Sequence, residues 1–367
     1  MLKSCPACQR VLPADMAFCP DDGSALVAAD PTLPSAVRLS GFAARATQHT
    51  GAVLDGRWRI HGFVNRGATA RVYLAEDLRE HDVVAVKMFA PYGQELAGAD
   101  PRKIAVIRER FLDEAWALSR IVHPYVVRIL DIGERAGAPF LIMEALEGET
   151  LGARLDREGR LDAPTALRIA REIAAGLAAA HDAGVIHRDV KPDNVFLVGK
   201  GATVKVIDFG MAKLLGSGVD VEEELVMGTA QYMAPEQIVR ERVDGRTDVY
   251  AFGVMLFKML TGHLPFDVDG GLHLDVLGHQ LFSPTPPPSW LDDQLDPAIE
   301  RVILSAMRKS PDNRYPSMKA LADDLLAERA AGWPIASARD VYEPSTPDGR
   351  AAVRMMLRKF SLPPSPR

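Results

Sequence analysis

Between residues 58 and 331 the spacing of apolar positions changes several times, and each change marks an element. VVAVKMF at 83–89 reads as a strand, whose successive side chains alternate between two faces, with Lys87 as its one polar position. Shorter runs predict further strands near 58–64, 72–77, 126–133 and 139–144, the last, with FLIM at 140–143, continuously apolar as a buried strand is. From residue 107 the period lengthens. Ile107, Phe111, Ala115, Leu118 and Ile121 recur at helical spacing up to a turn at His123 and Pro124. PTALRIAREIAAGLAAAHDAG is amphipathic throughout, with Pro164 near its first turn, where a missing N–H costs nothing. RTDVYAFGVMLFKMLTG is apolar on most sides, yet too short, and interrupted by Lys258, to cross a bilayer, so it reads as a core helix. GHLPF and SPTPPPSW read as loops.

Three polar elements interrupt this pattern: HRDVKPDN at 187–194, DFG at 208–210 and MAPE at 233–236. Their order and spacing suit phosphoryl transfer, which needs metal ions held, an acceptor hydroxyl aimed and charge on the moving phosphate offset. The bland alternative is a loop whose buried charges satisfy one another. Together the three elements resemble a protein kinase, and within that superfamily a bacterial, eukaryotic-type (Hanks-type) serine/threonine kinase, over residues 58–331.

The resemblance implies an α+β, bilobal protein kinase fold: a small antiparallel β lobe crossed by the helix called αC, and a large, mainly helical lobe. It makes Asp189 the residue that accepts or orients the acceptor proton, Asn194 and Asp208 the ligands of Mg2+ (Mn2+ is possible), and Lys191 the lysine near the γ-phosphate that favours Ser/Thr acceptors. It makes Lys87 the partner of the α- and β-phosphates of ATP, with Glu114 as its counter-charge. Met143 falls at the gatekeeper position, Glu144 to Leu146 offer backbone groups to adenine, and Val72, Ala85 and Leu197 flank the ring. Glu236 is expected to pair with Arg314, and Asp248 to brace the loop that carries Asp189; both are scaffold rather than chemistry.

Two departures qualify the match. The glycine-rich pattern falls on Asn65, Gly67 and Ala70, so only the middle glycine remains. Asn tolerates left-handed backbone and Ala adds one methyl group, so the hairpin can still form, with the grip on ATP in question. In the segment between DFG and APE, Glu222, Glu223 and Glu224 stand where a phosphorylated threonine often pairs with the arginine that is Arg188 here. Either a glutamate replaces that phosphate or the acidic run is a solvated face. Thr229 matches a threonine that bridges Asp189 and Lys191.

The first 23 residues are a separate object, holding all three cysteines of the chain. Cys5, Cys8, Cys19 and Asp22 resemble the ligand set of a small zinc ribbon, with Asp21 as an alternative fourth ligand and a disulfide plus one thiol as the competing reading. So short a segment cannot bury a core, so Zn2+ would supply its order, and a protein partner is its expected role. Residues 24–56 read as a flexible linker, 57–331 as the catalytic domain and 332–367 as a Pro-, Ser- and Arg-rich tail, with 354–360 either a short amphipathic helix or frayed.

With 43 basic and 49 acidic side chains the net charge is -6, and no basic stripe offers itself to nucleic acid. No signal peptide and no membrane span are seen, so a cytoplasmic protein is expected. The expectation is thus an ATP-dependent protein Ser/Thr kinase acting on protein substrates in cytoplasmic signalling. The alternative is a nucleotide-binding pseudokinase that works as a scaffold through its ribbon.

Overall fold

The computed structural model describes residues 2–4, 11–13, 27–28, 37–39, 42–44, 47, 49–66, 70–89, 101–135, 138–199, 203–209, 230–266 and 273–326. The chain forms two compact units: Met1–Arg108 with Ile129–Glu147, and Glu109–Arg128 with Gly148–Arg367.

The first unit is built on strands. β1 (Leu2–Ser4), β2 (Val11–Pro13) and β3 (Val27–Ala28) form a small antiparallel sheet in the order β2-β1-β3, and β4 (Val37–Leu39) pairs with β5 (Phe42–Ala44). The main sheet has six strands: β6 (Val53–Leu54), β7 (Trp58–Arg66), β8 (Ala70–Asp77), β9 (Val83–Phe89), β10 (Ile129–Arg135) and β11 (Ala138–Glu144), in the order β10-β11-β9-β8-β7-β6. Burial alternates over the first five residues of VVAVKMF, with Val84 and Val86 buried between half-buried Val83, Ala85 and Lys87; at the strand end Phe89 breaks the phase and is buried. One face of the sheet packs Trp58, Ile60, Tyr73, Ala75, Val84, Val86, Phe140 and Ile142 into a single cluster. Trp58 meets Phe140 edge to face at 6.0 Å, an arrangement the ring quadrupoles favour.

Sequence and structure differ in the expected strand 126–133. The strand in the main sheet begins only at Ile129. Val126 bridges Val206 instead: the Val127 amide donates to the Val206 carbonyl at 3.0 Å and the Val206 amide to the Tyr125 carbonyl at 2.8 Å, while the Val126 amide closes the turn on the His123 carbonyl. Within residues 24–56, β3, β4, β5 and β6 are described as strands, and β6 extends the main sheet. Cys5, Cys8, Cys19, Asp21, Asp22, Gly67, Ser217, Glu222, Glu223, Glu224, Thr229 and the tail 327–367 lie outside the described residues.

The second unit is mainly helical. Helix α1 (Pro101–Ser119) continues into it from the first unit and buries Phe111, Ala115 and Leu118, as its spacing requires. α2 (Leu151–Glu158) and α3 (Ala163–Asp182) follow; Thr150 accepts the Ala153 amide and Asp162 the Thr165 amide, satisfying donors that a helix N-terminus leaves open. Strands β12 (Gly148–Thr150), β13 (Val195–Val198) and β14 (Thr203–Val206) make a short sheet. α4 (Pro235–Ile238) precedes α5 (Gly245–Thr261), in which Thr247 to Phe257 are all buried, bearing out the core-helix reading. Gly253 allows close approach of α7 (Pro297–Ala306): a Cβ there would lie 2.9 Å from that of Ala306. Gly262 ends α5 in left-handed backbone at φ 80°. α6 (His273–Phe282) and α8 (Met318–Leu326) complete the unit.

Asp77 closes β8. It accepts three hydrogen bonds from Arg57 at 2.6 to 3.0 Å and one from the Arg79 amide at 2.9 Å. The guanidinium, and after it the backbone amides, hold its carboxyl well below its ordinary 3.8, at about 2. A depressed carboxylate contributes stability that is complete above its ordinary pKa and is lost as pH falls towards its folded value. Asp77→Asn is therefore expected to cost about 2 kcal/mol near neutral pH and to flatten the loss of stability between about pH 4 and about pH 2. Urea denaturation across that range checks both.

Candidate active site

The second unit holds the segment 187–194 from below by one buried carboxylate. Asp248, in the first turn of α5, accepts the backbone N–H of His187 through Oδ2 and that of Arg188 through Oδ1, each at 2.8 Å. His181, at the end of α3, also contacts Oδ2 through Nε2 at 2.7 Å. Arg188 sits at φ 63°, a left-handed conformation that a long side chain adopts only when its surroundings enforce it. Its N–H is fixed by Asp248 and its carbonyl accepts Gln237 Nε2 at 2.9 Å from α4, so the strained peptide is gripped on both sides.

His187 is fully buried, and desolvation pushes its imidazole below the ordinary histidine value despite nearby carboxylates. The carbonyl of Ile207, 3.0 Å away, can only accept, so Nε2 carries the proton. Nδ1 then accepts the Asp189 amide at 3.2 Å. The ring also lies 4.6 Å from that of Phe209. A neutral histidine thus ties 187–189 to the chain around Asp208.

On this base the acidic and amide side chains converge. Asn194 donates Nδ2 to both the carbonyl (2.8 Å) and Oδ2 (2.9 Å) of Asp189, and Lys191 Nζ lies 3.0 Å from the same Oδ2. Because Nδ2 is used in this way, the other end of the Asn194 amide is an oxygen with acceptor capacity to spare. The Asn194 carbonyl accepts the Ile207 amide at 3.0 Å, which brings the chain entering Asp208 alongside Asn194. Asp208 is exposed and left-handed at φ 52°. Two strained residues, Arg188 and Asp208, thus flank one polar cluster, as at sites where backbone strain is held for function.

The first unit arranges its own candidates by register. Val72 pairs with Lys87 and Lys87 with Leu141; Leu74 pairs with Ala85 and Ala85 with Met143. Directly paired residues share a face, so Val72, Ala85, Lys87 and Met143 lie together, opposite the Trp58–Phe140 cluster. Asn65 pairs with Val72 near the end of a hairpin that extends to Arg66 and Arg71. Glu144 ends β11 and Leu146, two residues on, is half-buried. Leu197, in the second unit, is buried on β13 opposite Val204. Glu114 lies on α1, with its side chain outside the described residues.

The sequence pattern of the protein kinase domain matches residues 58–326. This chain belongs to the protein kinase family. Serine/threonine-protein kinase Pkn1 of Myxococcus xanthus is 38% identical over 332 residues, covering 88% of this chain and 45% of that relative. Serine/threonine-protein kinase PksC of Streptomyces coelicolor is 36% identical over 291 residues, covering 76% of this chain and 50% of that one. The chain thus spans about half the length of these curated relatives. A crystal structure of Rad53 1-466 in complex with AMP-PNP shares the fold at TM-score 0.57 and 22% identity, over 73% of this chain and 64% of that one.

Within the kinase fold the expected scaffold pair is formed: Arg314 grips Glu236 bidentately at 2.7 and 2.8 Å, both side chains almost wholly buried, and Thr247 Oγ1 donates to the same carboxylate. Arg314 also donates to the carbonyls of Arg246, Arg308 and Lys309, which answers the desolvation of its charge. Sequence reasoning passed over His181 and Gln237. Each makes one long-range bond, from a helix-end histidine and from a glutamine beside a known motif, and neither bond leaves a periodic trace.

Proposed function

We propose that this chain is an ATP-dependent protein serine/threonine kinase acting in cytoplasmic signalling. The observation that carries the reading is the convergence of Asp189, Lys191 and Asn194 within 3.0 Å, beside the chain leading to Asp208. In this reading Asp189 orients the acceptor hydroxyl and takes its proton as the bond from its oxygen to the γ-phosphorus forms and the bond to ADP breaks in line. Lys191 offsets charge on the transferred group. Asn194 and Asp208 offer the hard oxygen donors that suit magnesium or manganese, and the amide orientation described above leaves the Asn194 oxygen for that use. Bound magnesium would offset charge on the phosphates.

Lys87 is assigned to the α- and β-phosphates with Glu114 as its counter-charge, and Val72, Ala85, Met143 and Leu197 to the adenine. Asn65 and Gly67 would cover the phosphates, and the backbone from Glu144 to Leu146 would meet the base. The common face of Val72, Ala85, Lys87 and Met143 supports the first unit's share of this assignment. Among the described residues no helix is long and apolar enough to cross a membrane.

The N-terminal segment is assigned to Zn2+ held by Cys5, Cys8, Cys19 and Asp22 or Asp21, in a module that meets a protein partner. Support comes from pairing: Ser4 of β1 faces Val11 of β2 and Val27 of β3, so the chain entering Cys5 lies beside the chain that follows each proposed ligand pair.

Incubation with magnesium and radiolabelled ATP, followed on the protein itself and on a generic basic protein, is expected to show phosphate that Asp208→Asn abolishes. No incorporation together with ATP-induced thermal stabilisation would favour the scaffold reading and point to Asn65 and Ala70 in the altered glycine pattern. The same purified protein is expected to carry one zinc per chain, lost in Cys8→Ser. Metal-free protein with its cysteines disulfide-paired would overturn the ribbon.

A further inference from the structure

A buried polar chain in the second unit ends on the segment that leads into the MAPE element at 233–236. Lys309 has no exposed side-chain surface, yet its ammonium contacts the Tyr250 hydroxyl and the His279 carbonyl, each at 3.3 Å, and lies 4.3 Å from the centre of the Phe266 ring. An ammonium has only donors, so the tyrosine oxygen accepts from it and the phenolic proton is directed onwards. That proton is donated to Oε1 of Gln280, itself fully buried on α6. With its oxygen so used, the Gln280 amide presents Nε2 to the carbonyl of Gln231 at 2.6 Å. Each donor in the series fixes the sense of the next, and the end point is a backbone carbonyl two residues past Thr229.

The same segment is held at its other end. Glu236, five residues after Gln231, is gripped by Arg314, and Arg314 in turn donates to the backbone carbonyl of Lys309 at 2.7 Å. Residues 231–236 are thus fixed at both ends by one buried set of side chains on α5, α6 and the chain around Lys309 and Arg314. A buried ammonium is an expensive way to fill a core, and packing alone would be served by an apolar residue.

We propose that Lys309, Tyr250 and Gln280 are positioning residues that set the surface on which the acceptor protein docks, by fixing the Gln231 carbonyl. The proposal rests on the kinase reading above: Gln237, which directly follows this segment, bonds the Arg188 carbonyl next to Asp189, so the segment borders the place where the acceptor hydroxyl would be oriented. It assigns these residues to recognition of protein substrate and to no step with ATP.

The test uses Gln280→Met, close in volume but unable to bond Gln231, and Tyr250→Phe, which keeps the ring beneath Lys309 and removes the relay. Both are expected to raise the KM for a protein acceptor about tenfold, equivalent to about 1.4 kcal/mol. The KM for ATP should stay within about twofold, and hydrogen exchange of the amides in 230–234 should quicken. A lower melting temperature with unchanged acceptor KM and unchanged exchange would overturn the proposal, since a purely structural role predicts that pattern. If the wild type transfers no phosphate, the kinase reading fails. The exchange measurement then still decides whether Gln280 fixes the 231–236 segment.

Discussion

One carboxylate, that of Asp248, organises the loop on which the proposed chemistry depends. It is almost wholly buried, and an ionised group so placed persists only if its oxygens are well supplied with donors. Two of those donors are consecutive backbone amides, His187 and Arg188, and the third is His181. Arg188 lies in left-handed backbone between two fixed groups, its N–H held by Asp248 and its carbonyl by Gln237. Such strain costs of order 1–3 kcal/mol, and a buried charge gripping the peptide is what offsets it. α5, the most thoroughly buried helix described, supplies the rigid base.

From there the constraint passes outward through side chains that each do two jobs. His187, neutral because it is desolvated, donates to Ile207 and accepts from Asp189, so one imidazole links the two motif loops. Gln237 fixes the Arg188 carbonyl while its own oxygen accepts the Ala234 amide at 3.1 Å, which ties the APE segment to the same loop. The Glu236–Arg314 pair anchors that segment a second time. Among the described residues the site is therefore less a pocket of reactive groups than backbone loops held in strained forms by buried polar side chains.

How much of this the sequence discloses depends on what kind of constraint acts. Asp189, Lys191, Asn194 and Asp208 are legible because phosphoryl transfer tolerates few residue types, and their spacing is compressed into 20 positions. The α5 core helix and the Lys87 strand are legible because burial on every side selects apolar residues over whole runs of the chain. Glu236 and Arg314 are legible only through family resemblance, standing 78 positions apart with no local sign of each other. His181, Gln237 and Gln280 are not legible at all: each acts through one or two bonds to groups distant in sequence, and a lone polar residue on a helix is ordinarily solvated. The misplaced strand at 126–133 has the same origin, since Val126 and Val127 suit either sheet edge and only the preceding turn selects β14.

The measurement that bears most directly on this account is phosphoryl transfer by Asp248→Asn. An amide keeps the size of the carboxylate but offers one oxygen in place of two and no charge, so it cannot hold both the His187 and Arg188 amides. The account predicts a folded protein whose kcat falls by about two orders of magnitude or more, as loss of near-attack geometry implies, with ATP affinity little changed. A folded variant with kcat close to that of the wild type would contradict it.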